Sequence, residues 1–324
     1  MLDKYDPSTC NNQFCNTNGI RMHYVDENPS SKEVLLLIHG WPDLWLGWRE
    51  QIGFLVNLGY RVVVPTLRGF GETESPADPS LYGFKTACKD IVGLLDHLEI
   101  PTVTTIGHDW GGFVVWRFSQ FYPERVKAIA SFCTPYGPRP PVRLTLEQVV
   151  QNLPNFKYQL YLCTPEAEQE INAYPREFFT ALFRTVNEQS GRKLLDLKTG
   201  KLVEGRPAVK KSDLVPQKVL DHYVEMVKKH GSRGGLNWYK QVLRNWDESE
   251  GLDPIITKPS LMVLAERDVA LPPSMAANMK NYVPNLETHL VKDAGHWILW
   301  EKPEECNRIL AHWLKSLNIV PSKI

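Results

Sequence analysis

The sequence predicts an α/β protein: a mostly parallel sheet flanked by helices, with a mainly helical segment inserted late in the chain. Three observations predict it. Short β-branched runs alternate with helical apolar patterns from residue 33 to 134, as parallel strands joined by crossovers require. After Phe132-Cys133-Thr134 the style changes. Pro135, Pro138, Pro140 and Pro141 break the chain, and residues to about 247 carry helical patterns. That stretch holds no clear strand, apart from a hairpin-like turn around Lys198-Thr199-Gly200-Lys201. Alternation resumes near Pro259. The expected division is a core of residues 1–134 and 248–324, with 135–247 as a cap. Such a cap would cover the carboxyl ends of the strands, where open α/β sheets bind ligands. Apolar residues make up 43% of 324, enough for a sizeable core.

The elements follow in order. Glu33-Val34-Leu35-Leu36-Leu37-Ile38 reads as a buried strand that ends in His39-Gly40-Trp41-Pro42. Pro42 fixes that turn, and a cis bond before it is one way to do so. Arg61 to Thr66 is the next strand. It runs into Arg68-Gly69-Phe70-Gly71-Glu72-Thr73, a turn; a phosphate loop would need a third glycine and a following helix. Thr102-Val103-Thr104-Thr105-Ile106 is a strand, and Phe113 to Phe121 a helix. Between them lies Gly107-His108-Asp109-Trp110-Gly111-Gly112, a tight turn in which glycines permit a sharp reversal. Leu261 to Ala265 leads to Glu266-Arg267-Asp268, and Thr288 to Val291 leads to Asp293-Ala294-Gly295-His296-Trp297.

The turn at Asp109 reads G-x-D-x-G, a strand-to-helix elbow with a carboxylate where ester hydrolases place serine. An aspartate with an ordinary pKa of about 3.9 is already ionised at neutral pH. It is a weak nucleophile toward acyl groups but a competent one toward a strained or activated sp³ carbon, forming an alkyl ester. Water then attacks the ester carbonyl while backbone N–H groups hold the oxyanion. Epoxides and alkyl halides fit that chemistry. The plainer alternative is an aspartate capping the helix that starts near Trp110. Its partners argue against capping: Asp109, Asp268 and His296 run nucleophile, acid, histidine in chain order, each after the right kind of element. In this arrangement Asp268 orients His296 and stabilises the imidazolium. Alone, Asp268 would read as a turn residue and His296 as a loop histidine. His97 and His312 sit in helical patterns, and His108 packs at the elbow.

Lys+Arg and Asp+Glu are equal at 37 each, so no global field favours nucleic acid or an anionic membrane. The run Lys228-Lys229-His230 reads as solvated helix surface. No uninterrupted apolar stretch is long enough to span a membrane, and the polar amino-terminal stretch has no secretory core. Six scattered cysteines without C-x-x-C spacing predict free thiols in a reducing compartment, hence a cytoplasmic protein without a zinc site. Ser322-Lys323-Ile324 is similar to the S-K-L peroxisomal address with its last residue changed, a charged tail being the alternative.

From about residue 18 to the C terminus the chain resembles the soluble epoxide hydrolases, those without a membrane anchor, of the α/β-hydrolase superfamily. The segments that carry the likeness are His39-Gly40-Trp41-Pro42, Gly69-Phe70-Gly71-Glu72-Thr73, Gly107 to Gly112, Ala265-Glu266-Arg267-Asp268 and Gly295-His296-Trp297. Asn155-Phe156-Lys157-Tyr158-Gln159-Leu160-Tyr161 and Gly235-Leu236-Asn237-Trp238-Tyr239 resemble the family's two lid-tyrosine segments. The resemblance implies an eight-stranded α/β-hydrolase sheet and conversion of a small-molecule epoxide plus water to a vicinal diol, without metal or organic cofactor. It implies Asp109 as nucleophile, His296 as general base and Asp268 as orienting acid. Tyr158 and Tyr239 would protonate the epoxide oxygen, and the backbone N–H groups of Trp41 and Trp110 would form the oxyanion hole. Trp41, Trp110, Tyr136, Phe178, Phe179 and Trp297 are the expected apolar walls. The additional phosphatase domain of some vertebrate members has no counterpart in these 324 residues. Thr66 stands where many members have aspartate, which puts the local loop support in question. Two rivals remain at this stage. A haloalkane dehalogenase shares the aspartate elbow but needs halide-gripping donors, and Trp41 replaces its usual asparagine. A non-catalytic small-ligand receptor would not need the complete catalytic set. Oligomeric state is open, a homodimer being one option.

Overall fold

A computed structural model describes residues 3–189, 194–196 and 200–321. Ser322-Lys323-Ile324, and Lys198 and Thr199 of the turn noted above, lie outside the described residues. The eight strands are β1 (Asn12–Thr17), β2 (Ile20–Glu27), β3 (Val34–Ile38), β4 (Arg61–Pro65), β5 (Val103–His108), β6 (Val126–Phe132), β7 (Ser260–Ala265) and β8 (Leu286–Val291). They form one sheet in the order β1-β2-β4-β3-β5-β6-β7-β8. The pairs β1–β2 and β2–β4 are antiparallel, and every other pair is parallel. Strands β3, β5 and β7 are buried along their whole length, as expected for parallel strands covered on both faces.

The antiparallel β1–β2 hairpin escapes the alternation pattern, because β1 (NQFCNT) is largely polar and partly exposed. A short-range signal marks it all the same. Asn18-Gly19 joins the strands with φ of 45° and 79°, the two positive values a tight hairpin turn of this twist demands.

Helices α1 (Arg49–Asn57), α2 (Phe84–His97) and α3 (Trp110–Phe121) cross between the early strands. Ala87, Cys88, Ile91, Leu94 and Leu95 of α2 are buried, a stripe at helical spacing that faces the sheet. Between β6 and β7 the described residues hold α4 (Leu146–Asn152), α5 (Tyr158–Leu162), α6 (Pro165–Ala173), α7 (Pro175–Leu182), α8 (Gln217–His230), α9 (Arg233–Asn237) and α10 (Val242–Glu248), with no strand among them. After β8 come α11 (Ile298–Glu301) and α12 (Pro303–Ser316). Among the described residues no helix is long and apolar enough to cross a membrane.

The chain leaves β3 toward β4 on one side of the sheet and places β5 on the other. The carboxyl ends of β3 and β5 therefore flank a topological switch point, the crevice where such sheets place their sites. His39-Gly40-Trp41 and Asp109 follow those two strands directly. Thr66, the departure from the family pattern, does support its loop. Its hydroxyl bonds His23 Nδ1 at 2.8 Å, and its carbonyl accepts from the Thr73 hydroxyl at 2.7 Å.

Candidate active site

The chain must reverse between β5 and α3 within about one residue. Asp109 makes that turn at φ 54° and ψ −122°, a strained conformation for a non-glycine residue. Gly111 lets α3 sit against β3: a Cβ there would lie 2.0 Å from the Ile38 carbonyl oxygen. The Thr134 hydroxyl donates to the Asp109 carbonyl at 2.7 Å and ties the elbow down. The Asp109 side chain makes no capping bond to α3, so the capping alternative fails. Instead Oδ1 accepts the Trp41 N–H at 2.7 Å. Only glycine fits at position 40, where a Cβ would stand 2.3 Å from that oxygen. The Trp41–Pro42 peptide is cis.

His296 lies opposite. Its Nε2 is 3.6 Å from Asp109 Oδ2, and its Nδ1 is 2.8 Å from Asp268 Oδ2. Asp268 is buried, and its other oxygen accepts the Ala270 and Leu271 N–H groups at 2.8 and 2.9 Å. Burial alone would raise the Asp268 pKa. The neighbouring His296 and the two N–H donors outweigh it and hold the carboxyl at about 2. Burial opposes charge on His296, but Asp268, then Asp109 and Glu301, carry its pKa up to about 9. Asp109 itself is raised by burial, against the pull of His296 and the Trp41 and Trp110 N–H groups. Behind the imidazole, His108 Nε2 bonds the His296 carbonyl at 2.8 Å, and the Cys133 thiol donates to it at 3.6 Å. His108, Cys133 and His296 bring ligand-type atoms within 4.8 Å of one another. The bonds of His108 and Cys133 to the His296 carbonyl, and of His296 to Asp268, account for the grouping as packing around His296.

The helical segment between β6 and β7 supplies two phenols. Tyr158 opens α5, and Tyr239 lies in the short turn Trp238–Gln241; their rings are 6.4 Å apart at 74°. Both line a cavity of about 980 Å³ together with Asp109, Asp268, His296, Trp41, Phe178 and Trp297. Burial first, then the charge of Asp109, pushes the Tyr158 pKa well up. Burial, Tyr158 and Asp109 do the same to Tyr239. Both phenols are therefore held neutral in the cavity they share with the Asp109 carboxylate.

Three of the expected walls need correction. Tyr136 faces away: its hydroxyl donates to the Pro254 carbonyl at 2.8 Å, and its ring packs on Trp116. Phe179 packs on Phe183 and Tyr223 and borders a separate small cavity of about 40 Å³. The Trp110 ring packs among Phe84, Phe113 and Tyr239, behind the lid phenol rather than along the large cavity. Sequence reasoning also missed residues. Leu182, Leu194, Leu202 and Val203, between β6 and β7, line the cavity, and Thr134 and Cys133 support the elbow and the His296 loop. Nothing in the local pattern marks them, since each acts through a contact distant in sequence.

An α/β sheet, a carboxylate on its elbow and an inserted set of helices define the class, an α/β-hydrolase-fold enzyme. The chain matches the family described as alpha/beta hydrolase fold over residues 33–303. It is 32% identical over 321 residues to epoxide hydrolase A of Mycobacterium tuberculosis, covering 95% of this chain and 98% of that one. It is 39% identical over 303 residues to the bifunctional epoxide hydrolase 2 of Rattus norvegicus, covering 92% of this chain and 54% of that protein. The chain thus spans about half the length of that relative. The crystal structure of epoxide hydrolase A from Mycobacterium thermoresistibile superposes with a TM-score of 0.83 at 30% identity, over 94% of this chain and 98% of that one. The chain belongs to the epoxide hydrolases of the α/β-hydrolase fold family.

Proposed function

We propose that this chain converts small-molecule epoxides and water to vicinal diols through an alkyl ester on Asp109. One observation carries the reading. Asp109 and the two cap phenols line the same cavity, so a nucleophile and two proton donors can meet one substrate. A dehalogenase has no comparable use for paired phenols, because a departing halide needs solvation rather than protons.

The Asp109 carboxylate attacks an epoxide carbon from the face opposite the ring oxygen. The ring C–O bond breaks, and the oxygen takes a proton from Tyr158 or Tyr239. His296 then removes a proton from water, which adds to the Asp109 ester carbonyl. The Trp41 and Trp110 N–H groups hold the resulting oxyanion. The acyl–oxygen bond breaks, the diol leaves with an original Asp109 oxygen, the His296 proton restores the alkoxide to alcohol, and the second water proton, left on Asp109, returns to the tyrosine that protonated the ring oxygen. Single turnover in ¹⁸O-water should therefore label the Asp109 carboxylate and leave the first diol unlabelled, as read by peptide mass spectrometry. Label in the diol of the first turnover would favour direct attack by water. Running 1-chlorobutane beside styrene oxide tests the dehalogenase alternative, and a binding assay tests a receptor.

The electrostatics add a pH prediction. In the resting site the Asp109 charge helps raise His296 to about 9. Ester formation removes that charge, so the imidazole pKa falls and the neutral base becomes available. The hydrolytic half-reaction should rise with pH along a limb centred below about 9. Single-turnover decay of the ester across neutral and alkaline pH measures it. A limb at the resting value would mean that Asp109 has no hold on the base.

The division into a core of residues 1–134 and 248–324 with a cap of 135–247 belongs to this reading. It is supported by the helices lying between β6 and β7. A cytoplasmic location is supported by six free cysteines. Imaging of an amino-terminally tagged chain separates cytoplasm from peroxisome, and sedimentation separates monomer from homodimer.

A further inference from the structure

The residue that closes the single turn α11 after His296 is Glu301. Its carboxylate joins two distant segments. Oε1 accepts the N–H of Gly295, the residue before the base, at 3.1 Å. Oε2 accepts the N–H of Val186, which follows α7 in the cap and lines the large cavity, at 2.9 Å. The two segments pack without slack: a Cβ on Gly295 would lie 2.8 Å from the Val186 Cβ and 3.0 Å from Glu301 Oε1. Two more bonds fasten the same stretch of cap to the catalytic loops. Asn187 Oδ1 accepts from Arg267, next to Asp268, at 2.6 Å, and the Leu182 carbonyl accepts the Trp297 indole N–H at 2.9 Å.

We infer that Glu301 is a positioning residue for the base: it locks the His296 loop to the cap and adds a third carboxylate, after Asp268 and Asp109, to the surroundings of the imidazole. The inference rests on the catalytic reading of His296 given above. Its chemistry suits a charged carboxylate. Each oxygen accepts from a backbone donor, and a neutral acid would turn a hydroxyl toward one of them. Among the described residues no lysine or arginine pairs with Glu301; burial raises its carboxyl pKa, against the pull of the Val186 and Gly295 N–H groups and of His296. The groups that face His296 are Asp109 from the elbow, Asp268 from the β7 loop, Glu301 from α11, His108 from β5 and Cys133 from the end of β6. Of these, the three carboxylates raise the imidazole pKa, in the order Asp268, Asp109, Glu301.

Glu301→Gln tests the role, because it keeps the size while removing the charge and one of the two acceptors. Two readouts are used. Nuclear magnetic resonance of ¹⁵N-histidine-labelled protein follows the His296 titration without any turnover. Rapid-quench kinetics with styrene oxide separate Asp109 alkylation from ester hydrolysis. The His296 titration should fall below that of the unaltered protein. Hydrolysis should slow about tenfold, from a misplaced base, with alkylation changed less than about threefold. Glu301→Asp keeps the charge but shortens the reach. It should hold the titration near that of the unaltered protein and still slow hydrolysis. A folded Glu301→Gln protein with unchanged titration and unchanged hydrolysis overturns the inference. Should that variant fail to fold, hydrolysis at full rate in Glu301→Asp overturns the positioning role. If the unaltered protein converts no epoxide, the proposed reaction fails, while the histidine titration still decides whether Glu301 acts on the base.

Discussion

Replacing His296 with glutamine should leave a protein that alkylates Asp109 and then stops. Asp109 needs no base to attack: it is a carboxylate held by the Trp41 N–H at 2.7 Å, with strained backbone aiming it at the cavity. Ester hydrolysis does need one, and His296, with Nε2 at 3.6 Å from Asp109 Oδ2 and Nδ1 held by Asp268, is the imidazole placed to take the proton from water. Asp268 is committed to His296 and two backbone donors. Turnover should fall roughly 10²- to 10⁴-fold, the usual weight of a positioned general base. Intact-mass spectrometry should show an adduct equal to the mass of the substrate, persisting long after mixing. A folded His296→Gln protein that stays unmodified with a good epoxide would mean that the histidine acts before alkylation.

The second large effect concerns the phenols. Tyr158→Phe and Tyr239→Phe delete only hydroxyls and keep the aromatic packing, including the edge contacts of Tyr239 with Trp41 and Trp110 at 5.3 and 5.2 Å. An opening epoxide develops alkoxide charge, and a neutral phenol in a dry site bonds that charge far better than it bonds the ground-state ether. Each single variant should slow alkylation roughly 10- to 1000-fold, the range for loss of one oxyanion donor. The double variant should lose considerably more, because in each single variant the surviving phenol covers part of the loss. Trp110 adjoins both Asp109 and Tyr239, so stopped-flow quenching of tryptophan fluorescence reports the step directly. Alkylation by the double variant at near the unaltered rate would make the tyrosines packing residues. The epoxide reading would then lose its main advantage over a dehalogenase.

What the sequence determined by itself was local. A β-branched run, a glycine-rich turn and an apolar helix identify the elbow within about twenty residues, because strand period, helix period and turn chemistry are short-range properties. The chain order Asp109, Asp268, His296 was legible for the same reason: each residue ends a recognisable element. Even the β1–β2 hairpin left a local trace at Asn18-Gly19, although polar β1 concealed the strand. Only the tertiary structure decided which face of each cap element turns inward. Phe178 enters the cavity while its neighbour Phe179 packs away from it, and aromatic character alone cannot separate the two. It also decided that Trp110 backs Tyr239, that Tyr136 points to Pro254, and that Glu301 bridges Gly295 and Val186. Those outcomes depend on helix packing and on bonds between segments far apart in the chain. Periodicity carries no information about such distances, since it records which side of an element is buried and not what lies against it.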